Sequence, residues 1–193
     1  MTPRTRCLLL RCSAAVYLFG APSSAFAATI WSGPMISFAK VAGADHTLAE
    51  NQDRITDAVW ITRAGSFGIY NIASEDFYRS SSPADTEWAW ALNGLNVGQE
   101  IAAANYESLT FNTWVVAHGG APNGPPSTVG IPGVLHLISD DIYIDISFIS
   151  WGERPESGTP FSYVRSTAVP EPSTGMLLGL GLVGLLAKRR RRG

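Results

Sequence analysis

The stretch VLHLISDDIYIDISFISW, residues 134–151, carries the clearest strand signal in the chain. Within 142–148, isoleucine or phenylalanine occupies every second position, and Tyr143, Asp145 and Ser147 occupy the positions between them. Successive side chains of a strand point to opposite faces, so this period of two is typical of a strand with one buried face. A shift of one residue would bury Asp145, and the pattern therefore predicts a well-defined register in a β-sheet.

The rest of the domain has the same short-strand character. Asp140 and Asp141 divide the stretch 134–151 into two predicted strands. Ala64-Gly65-Ser66 has the composition of a hairpin turn. No long amphipathic helix is predicted, although 99–118 is ambiguous between strand and short helix. The pattern predicts an all-β fold, a single sandwich or jelly-roll-like domain. The other predicted strands fall within 29–41, 54–63, 67–72, 87–92 and 161–166.

The first 27 residues have the composition of a secretory signal peptide and predict an N-terminal signal helix. Three arginines accompany a short apolar core at 12–21. Ala25 and Ala27 occupy the two positions that signal peptidase inspects, so we expect cleavage before Ala28. Both cysteines lie in this segment, and the mature chain is therefore predicted to have no disulfide and no thiolate.

The stretch VPEPSTGMLLGLGLVGLLAKRRRRG, residues 169–193, has three parts in a fixed order. Pro170-Glu171-Pro172 is extended, because each proline fixes its own φ and disfavours helix in the residue before it. The uncharged run 175–187 predicts a short transmembrane helix of about 20 Å, against a hydrocarbon core of about 30 Å. A cationic block then marks the cytoplasmic side, formed by Lys188, Arg189, Arg190, Arg191 and Arg192.

This order of parts resembles the PEP-CTERM sorting signal of Gram-negative bacteria, over 169–193 only. The resemblance implies that an exosortase, a membrane transpeptidase, cuts near Pro170-Glu171-Pro172 and releases or transfers the ectodomain. It also implies an association with exopolysaccharide and biofilm. The chain then divides into a signal peptide at 1–27, a β-rich extracytoplasmic domain at 28–168 and the sorting signal. We expect a transient inner-membrane intermediate, followed by a product at the cell surface or outside the cell.

The domain at 28–168 is strongly acidic, although the whole chain has a net charge of only −2. It contains six basic and fifteen acidic residues, a net charge of −9. A domain with this charge repels phosphate backbones, so we expect no nucleic acid among its partners.

All six tryptophans lie in this acidic domain, where they can serve in the core or on the surface. Tryptophan usually fills cores, but an exposed indole offers a flat apolar face to a sugar ring. Trp88 and Trp90 share one face of a predicted strand, between a polar loop and an Asn-Gly turn. We take these two residues as the candidate glycan contacts.

No residue pattern indicates catalysis or a metal site. The chain has no Gly-x-Ser-x-Gly motif, and its many carboxylates do not single out a pair for glycoside hydrolysis. The acidic sets 45/50/53 and 140/141/145 lack the spacing of known calcium loops. His46, His118 and His136 lack the spacing of metal ligands, and His136 is expected to be packed within its apolar strand. We therefore predict no metal, no cofactor and no enzymatic activity.

These observations favour an exported surface or extracellular-matrix protein without catalytic activity. Its expected partners are signal peptidase, an exosortase-type membrane transpeptidase and exopolysaccharide. The alternative is a carbohydrate-binding module or a small polysaccharide-acting enzyme. A flat face with coplanar indoles would indicate the module, and a cleft with aromatic walls and two close carboxylates would indicate the enzyme.

Overall fold

The computed structural model describes residues 28–120, 124–153 and 158–169. The predicted signal helix and the predicted transmembrane helix lie outside these residues, as do Ala25, Ala27, the Pro-Glu-Pro motif and the cationic block. Within the described ranges, no helix combines the length and the apolar character that crossing a membrane requires.

The described domain is built mainly from short strands, which confirms the predicted all-β class. Its α-helical content is small, with α1 at Trp114–Ala117 and 3-10 helices at Ala49–Asn51, Ala103–Ser108 and Pro125–Thr128. The strands are β1 (Thr29–Trp31), β2 (Ile36–Lys40), β3 (Asp53–Arg54), β4 (Trp60–Arg63), β5 (Ile69–Asn71), β6 (Thr86–Trp90), β7 (Pro132–Leu137), β8 (Ile142–Trp151) and β9 (Phe161–Arg165).

The larger sheet has the order β2-β9-β8-β7-β6, and β1 pairs with the first residues of β8. The neighbours along this path are antiparallel, whereas β1 runs parallel to β8. The central position of β8 and its pairing with β7 confirm the strands predicted from 134–151. Ile144, Ile146 and Phe148 are buried on one face, so the register predicted from their period of two is also confirmed.

The smaller sheet has the order β3-β4-β5, and all its pairs are antiparallel. The hairpin predicted at Ala64-Gly65-Ser66 is confirmed, since Arg63 pairs with Ile69 across this turn. Gly65 has a φ of 54°, a left-handed conformation that glycine adopts without a steric penalty. The ambiguous segment 99–118 forms short helical turns rather than a strand of the sheet.

Both sheets contribute side chains to one hydrophobic core. Ile61 and Ile69 come from the smaller sheet, and Trp88, Trp90 and Phe148 come from the larger one; all five are at most 1% exposed. The two indoles stack with their ring centroids 5.4 Å apart and their planes 8° from parallel. The core therefore holds together elements that are far apart in sequence.

The other face of the larger sheet is also covered, which the alternation within 142–148 did not predict. The 3-10 helix at Ala103–Ser108 lies against it, and the backbone N–H of Ala103 donates a hydrogen bond of 2.6 Å to Asp145 Oδ1. The rings of Tyr106 and Tyr143 stack with centroids 4.1 Å apart. The polar face of β8 is therefore half-buried rather than open to solvent.

A buried ion pair connects the two sheets. Arg165 of β9 donates to Asp53 of β3 through Nε (2.7 Å to Oδ2) and Nη2 (2.8 Å to Oδ1), and the Tyr163 hydroxyl donates to Oδ2 (2.7 Å). Burial, followed by the nearby Asp53 charge, raises the pKa of Tyr163 well above its ordinary value, so this hydroxyl stays a donor. The carboxylate is thus satisfied by two neighbouring side chains of β9.

The folded domain extends almost to the end of the described chain. Gly33 donates its backbone N–H to Thr167 O (2.8 Å), and the Thr167 hydroxyl donates to Pro34 O (2.9 Å). A side chain at position 33 would overlap with the backbone of 167–168, so a glycine permits this close approach. The hydrogen-bonded structure therefore reaches within three residues of Pro170.

Candidate functional site

A cleft of about 700 Å³ opens at the end of the core where α1 lies. Its aromatic wall consists of Phe67, Tyr78, Trp114, His118 and Trp151, and we call this site the aromatic cleft. Small-molecule sites in proteins occupy about 300–1,000 Å³ and are lined mainly by apolar and aromatic groups. The cleft has both properties.

The elements around the core place these rings. Trp151 is the last residue of β8, and Phe67 follows the β4–β5 turn. Trp114 begins α1, and His118 follows that helix one turn later, which brings the two rings to 4.5 Å. Trp114 also contacts Trp151 with centroids 5.4 Å apart. The wall is therefore continuous, although its members are scattered along the sequence.

Gly68 allows the rings of Tyr78 and Trp114 to pack closely against the backbone. A Cβ at this position would overlap with the rings of Tyr78 and Trp114. Phe67, the neighbouring residue, is 64% exposed and stacks on Tyr78 with centroids 6.4 Å apart. The cleft thus has a buried floor at Trp114 and an open aromatic rim at Phe67.

Arg63 supplies a positive charge at the inner edge of the aromatic cleft. Its guanidinium lies 3.9 Å above the ring of Trp151, and Nε donates to Phe67 O (2.6 Å) while Nη1 donates to Gly152 O (2.7 Å). Burial lowers the pKa of Arg63 to about 10, which still leaves it charged at neutral pH. Together with a hydrogen bond from Nη1 to Pro160 O (3.3 Å), these contacts hold the guanidinium in one orientation.

Two polar atoms of the wall have no hydrogen-bond partner within the described structure. These atoms are Trp114 Nε1 and His118 Nδ1, and the two side chains are 1% and 4% exposed. Buried polar groups are usually hydrogen-bonded, because leaving one unpaired costs about 1–3 kcal/mol. They therefore offer hydrogen-bonding capacity beside a cleft that can hold a polar ligand.

Acid is expected to destabilise the fold through His118. Burial lowers the pKa of this histidine below its ordinary value of 6.5, so in the range between the two pKa values the unfolded chain binds more protons than the folded chain. The contribution of neutral His118 to the free energy of unfolding should be complete above pH 6.5 and should be lost as the pH falls below this value. Urea midpoints of the wild type and His118→Gln, measured between about pH 8 and 5, test this.

The contribution of His118 to the acid sensitivity is the difference between the pH profiles of the urea midpoint in the wild type and in His118→Gln. The urea midpoint of His118→Gln should decline less on acidification than that of the wild type, and His46→Gln, which leaves α1 intact, is the control for removing a histidine elsewhere. Equal declines in the wild type and His118→Gln would assign the acid sensitivity to other groups.

The structure corrects the candidate glycan contacts of the sequence analysis. Trp88 and Trp90 are both 0% exposed, because their strand turns this face toward the shared core. Neither indole can stack on a sugar from solvent. The rings that do line the aromatic cleft belong to the end of β8, the turn before β5, the loop between β5 and β6, and α1 with the residue after it. No alternation in the sequence marks them.

Several of the other residues weighed as site candidates have structural contacts. Asp45 accepts hydrogen bonds from Thr47, and Asp53 forms the buried ion pair. His136 packs parallel to Tyr143 with centroids 4.2 Å apart, which agrees with the packed position expected for it. Across residues 28–120, 124–153 and 158–169, no three His, Asp or Glu side chains are grouped so that they could hold a metal ion.

The fold and the cleft define a class of protein: a small, acidic, all-β domain with an aromatic cleft. At the end of the domain, residues 168–192 match the family model of the PEP-CTERM protein-sorting motif. The chain therefore carries a PEP-CTERM sorting signal, which confirms the resemblance seen in its last residues. This signal implies export and processing by an exosortase at the membrane. No curated protein and no solved structure matches the chain significantly.

Proposed function

We propose that this protein is an exported surface or extracellular-matrix protein whose domain binds a glycan in the aromatic cleft, without catalysis. The observation that carries the proposal is the continuous wall of Trp114, Trp151, Tyr78 and Phe67, with unpartnered donors and acceptors beside it. Sugar rings have apolar faces and polar edges, so they suit a site with flat aromatic surfaces and a few hydrogen-bonding groups. The exopolysaccharide outside the cell is the proposed source of the glycan.

Binding is favoured over hydrolysis by the groups that line the cleft. Glycoside hydrolysis usually requires two carboxyl groups on either side of the scissile bond. Of the described residues in the lining, Glu153 alone has a carboxylate, and it is exposed. A binding module needs no such pair.

The proposed route of the chain agrees with where the folded domain ends. Signal peptidase removes 1–27, the run 175–187 holds the chain in the inner membrane, and an exosortase cuts near Pro170-Glu171-Pro172. The last described backbone hydrogen bond involves Thr167, so a cut near this motif leaves the domain intact. We further propose that the two sheets form a sandwich or jelly-roll-like domain, since they share one core.

The glycan proposal is tested with the full-length chain in detergent, immobilised and exposed to an array of bacterial and plant polysaccharides. We expect Phe67→Ala to weaken binding about tenfold, because it removes an exposed ring from the rim of the cleft. Phe77→Ala is the matched control: Phe77 is 55% exposed and lies outside the cleft lining, so binding should not change.

Two outcomes would reject this proposal. One is the absence of binding to any polysaccharide, and the other is an equal effect of the two phenylalanine substitutions. Release of new reducing ends from a bound polysaccharide would instead favour the polysaccharide-acting enzyme.

A further inference from the structure

A second pocket of about 250 Å³ adjoins the aromatic cleft and shares Arg63 and Ser66 with it. Its remaining lining includes Lys40, His46 and several glycines of the surrounding loops. We call it the cationic pocket, defined by Lys40 and Arg63. Its volume lies below the range of about 300–1,000 Å³ that whole small ligands occupy, so it suits a single charged substituent.

Among the described residues, the two cations of this pocket are buried without a carboxylate partner. Lys40 is 3% exposed and Arg63 is 1% exposed, and no carboxylate among the described residues lies within 4.0 Å of either charge. Arg165, another buried cation, is paired with Asp53. A buried charge without a counter-ion is costly, and two such cations together in a domain of net charge −9 are unusual.

The charges of Lys40 and Arg63 also act on each other. Burial is the main cause that lowers the pKa of Lys40, and the positive charge of Arg63 lowers it further. Asp45 opposes this effect, but Asp45 is exposed and accepts hydrogen bonds from Thr47 instead. An anion between the two cations would relieve both their desolvation and their mutual repulsion.

We infer that the cationic pocket binds the carboxylate of an acidic sugar, so that the ligand of the neighbouring cleft is a polysaccharide containing uronic acid. Arg63 connects the two sites, because it lines the pocket and lies 3.9 Å above the ring of Trp151 in the cleft. A sugar ring in the aromatic cleft can then place its carboxylate beside Lys40. The inference rests on the proposed function, because the carboxylate belongs to the glycan that is proposed to bind in the aromatic cleft.

The test compares oligomers of galacturonic and glucuronic acid with the same oligomers after chemical reduction of their carboxyl groups. The full-length protein in detergent should bind the acidic oligomers about tenfold more tightly, because a hydrogen bond to a charged group adds at least this much. Lys40→Met should remove the preference and leave the affinity for the reduced oligomers unchanged. Methionine keeps an apolar stem of similar length, and urea denaturation verifies that the variant is folded.

Arg54→Met is the matched control, because it removes one positive charge from an exposed position outside the pocket. This variant should keep the preference for acidic oligomers. Equal binding of acidic and reduced oligomers by the wild type, or an unchanged preference in Lys40→Met, would overturn the inference and leave glycan binding intact. Absence of binding to either form and to every other polysaccharide would overturn the proposed function as well.

Discussion

Replacing Arg165 by methionine is expected to lower the free energy of unfolding by about 3–5 kcal/mol, because Asp53 would stay buried without its cation. Two side-chain hydrogen bonds of 2.7 and 2.8 Å join these residues, and both side chains are less than a tenth exposed. Tyr163 alone would then donate to the carboxylate. Urea denaturation of the full-length chain in detergent, followed by tryptophan fluorescence, measures the loss.

Two further variants separate the ion pair from a general effect of charge. Arg54→Met removes an exposed arginine from the same strand as Asp53 and should cost at most about 1 kcal/mol. Asp53→Leu combined with Arg165→Met and Tyr163→Phe should recover most of the stability, since apolar groups of similar volume often replace a buried ion pair well and no buried hydroxyl is left without an acceptor. If Arg165→Met lowered the free energy of unfolding only as little as Arg54→Met does, the role of the Asp53–Arg165 pair in joining the sheets would be contradicted.

Replacing Trp90 by alanine is expected to lower the free energy of unfolding by about 3–5 kcal/mol, the usual cost of truncating a large buried aromatic residue. Its indole stacks on Trp88, lies 6.3 Å from the Phe148 ring and covers Gly133, where a Cβ would overlap with it. The cavity left by the substitution is therefore enclosed on several sides. The same urea experiment measures the effect.

Trp60→Ala provides the comparison for Trp90. Trp60 is only half-buried, and Arg54 Cζ lies 4.1 Å from the centroid of its ring. Truncation of Trp60 should therefore lower the free energy of unfolding by clearly less than truncation of Trp90. A stable Trp90→Ala variant that had lost glycan binding would contradict the buried position and restore this residue as a glycan contact.

The strands were largely predictable because their signal is local. The alternation at 142–148 and the hairpin at Ala64-Gly65-Ser66 depend on residues that are adjacent in sequence. The same alternation places Trp88 and Trp90 on one face of β6, but it does not say whether that face meets solvent or a second sheet. The shared core, to which the smaller sheet and α1 both contribute, decides that both indoles are buried.

The position of the aromatic cleft could not be predicted in this way. Phe67, Trp114 and Trp151 lie in a turn, in a helix and at a strand end, and no spacing relates them. The segment 99–118 had no clear period, since its short helical turns are stabilised by contacts with the sheet rather than by their own sequence. Burial of Lys40 and Arg63 away from any carboxylate of the described residues is likewise a property of the assembled loops.

By itself, the sequence determined the sorting signal of the chain and the strands of its domain. The sorting signal is read as a linear order of parts, and strand periodicity follows from the geometry of the backbone. The tertiary structure alone decided which aromatic rings are buried, which line the cleft, and which cations of the described residues are buried without a carboxylate beside them. The physical reason is that burial and pairing depend on segments that meet only after the chain has folded.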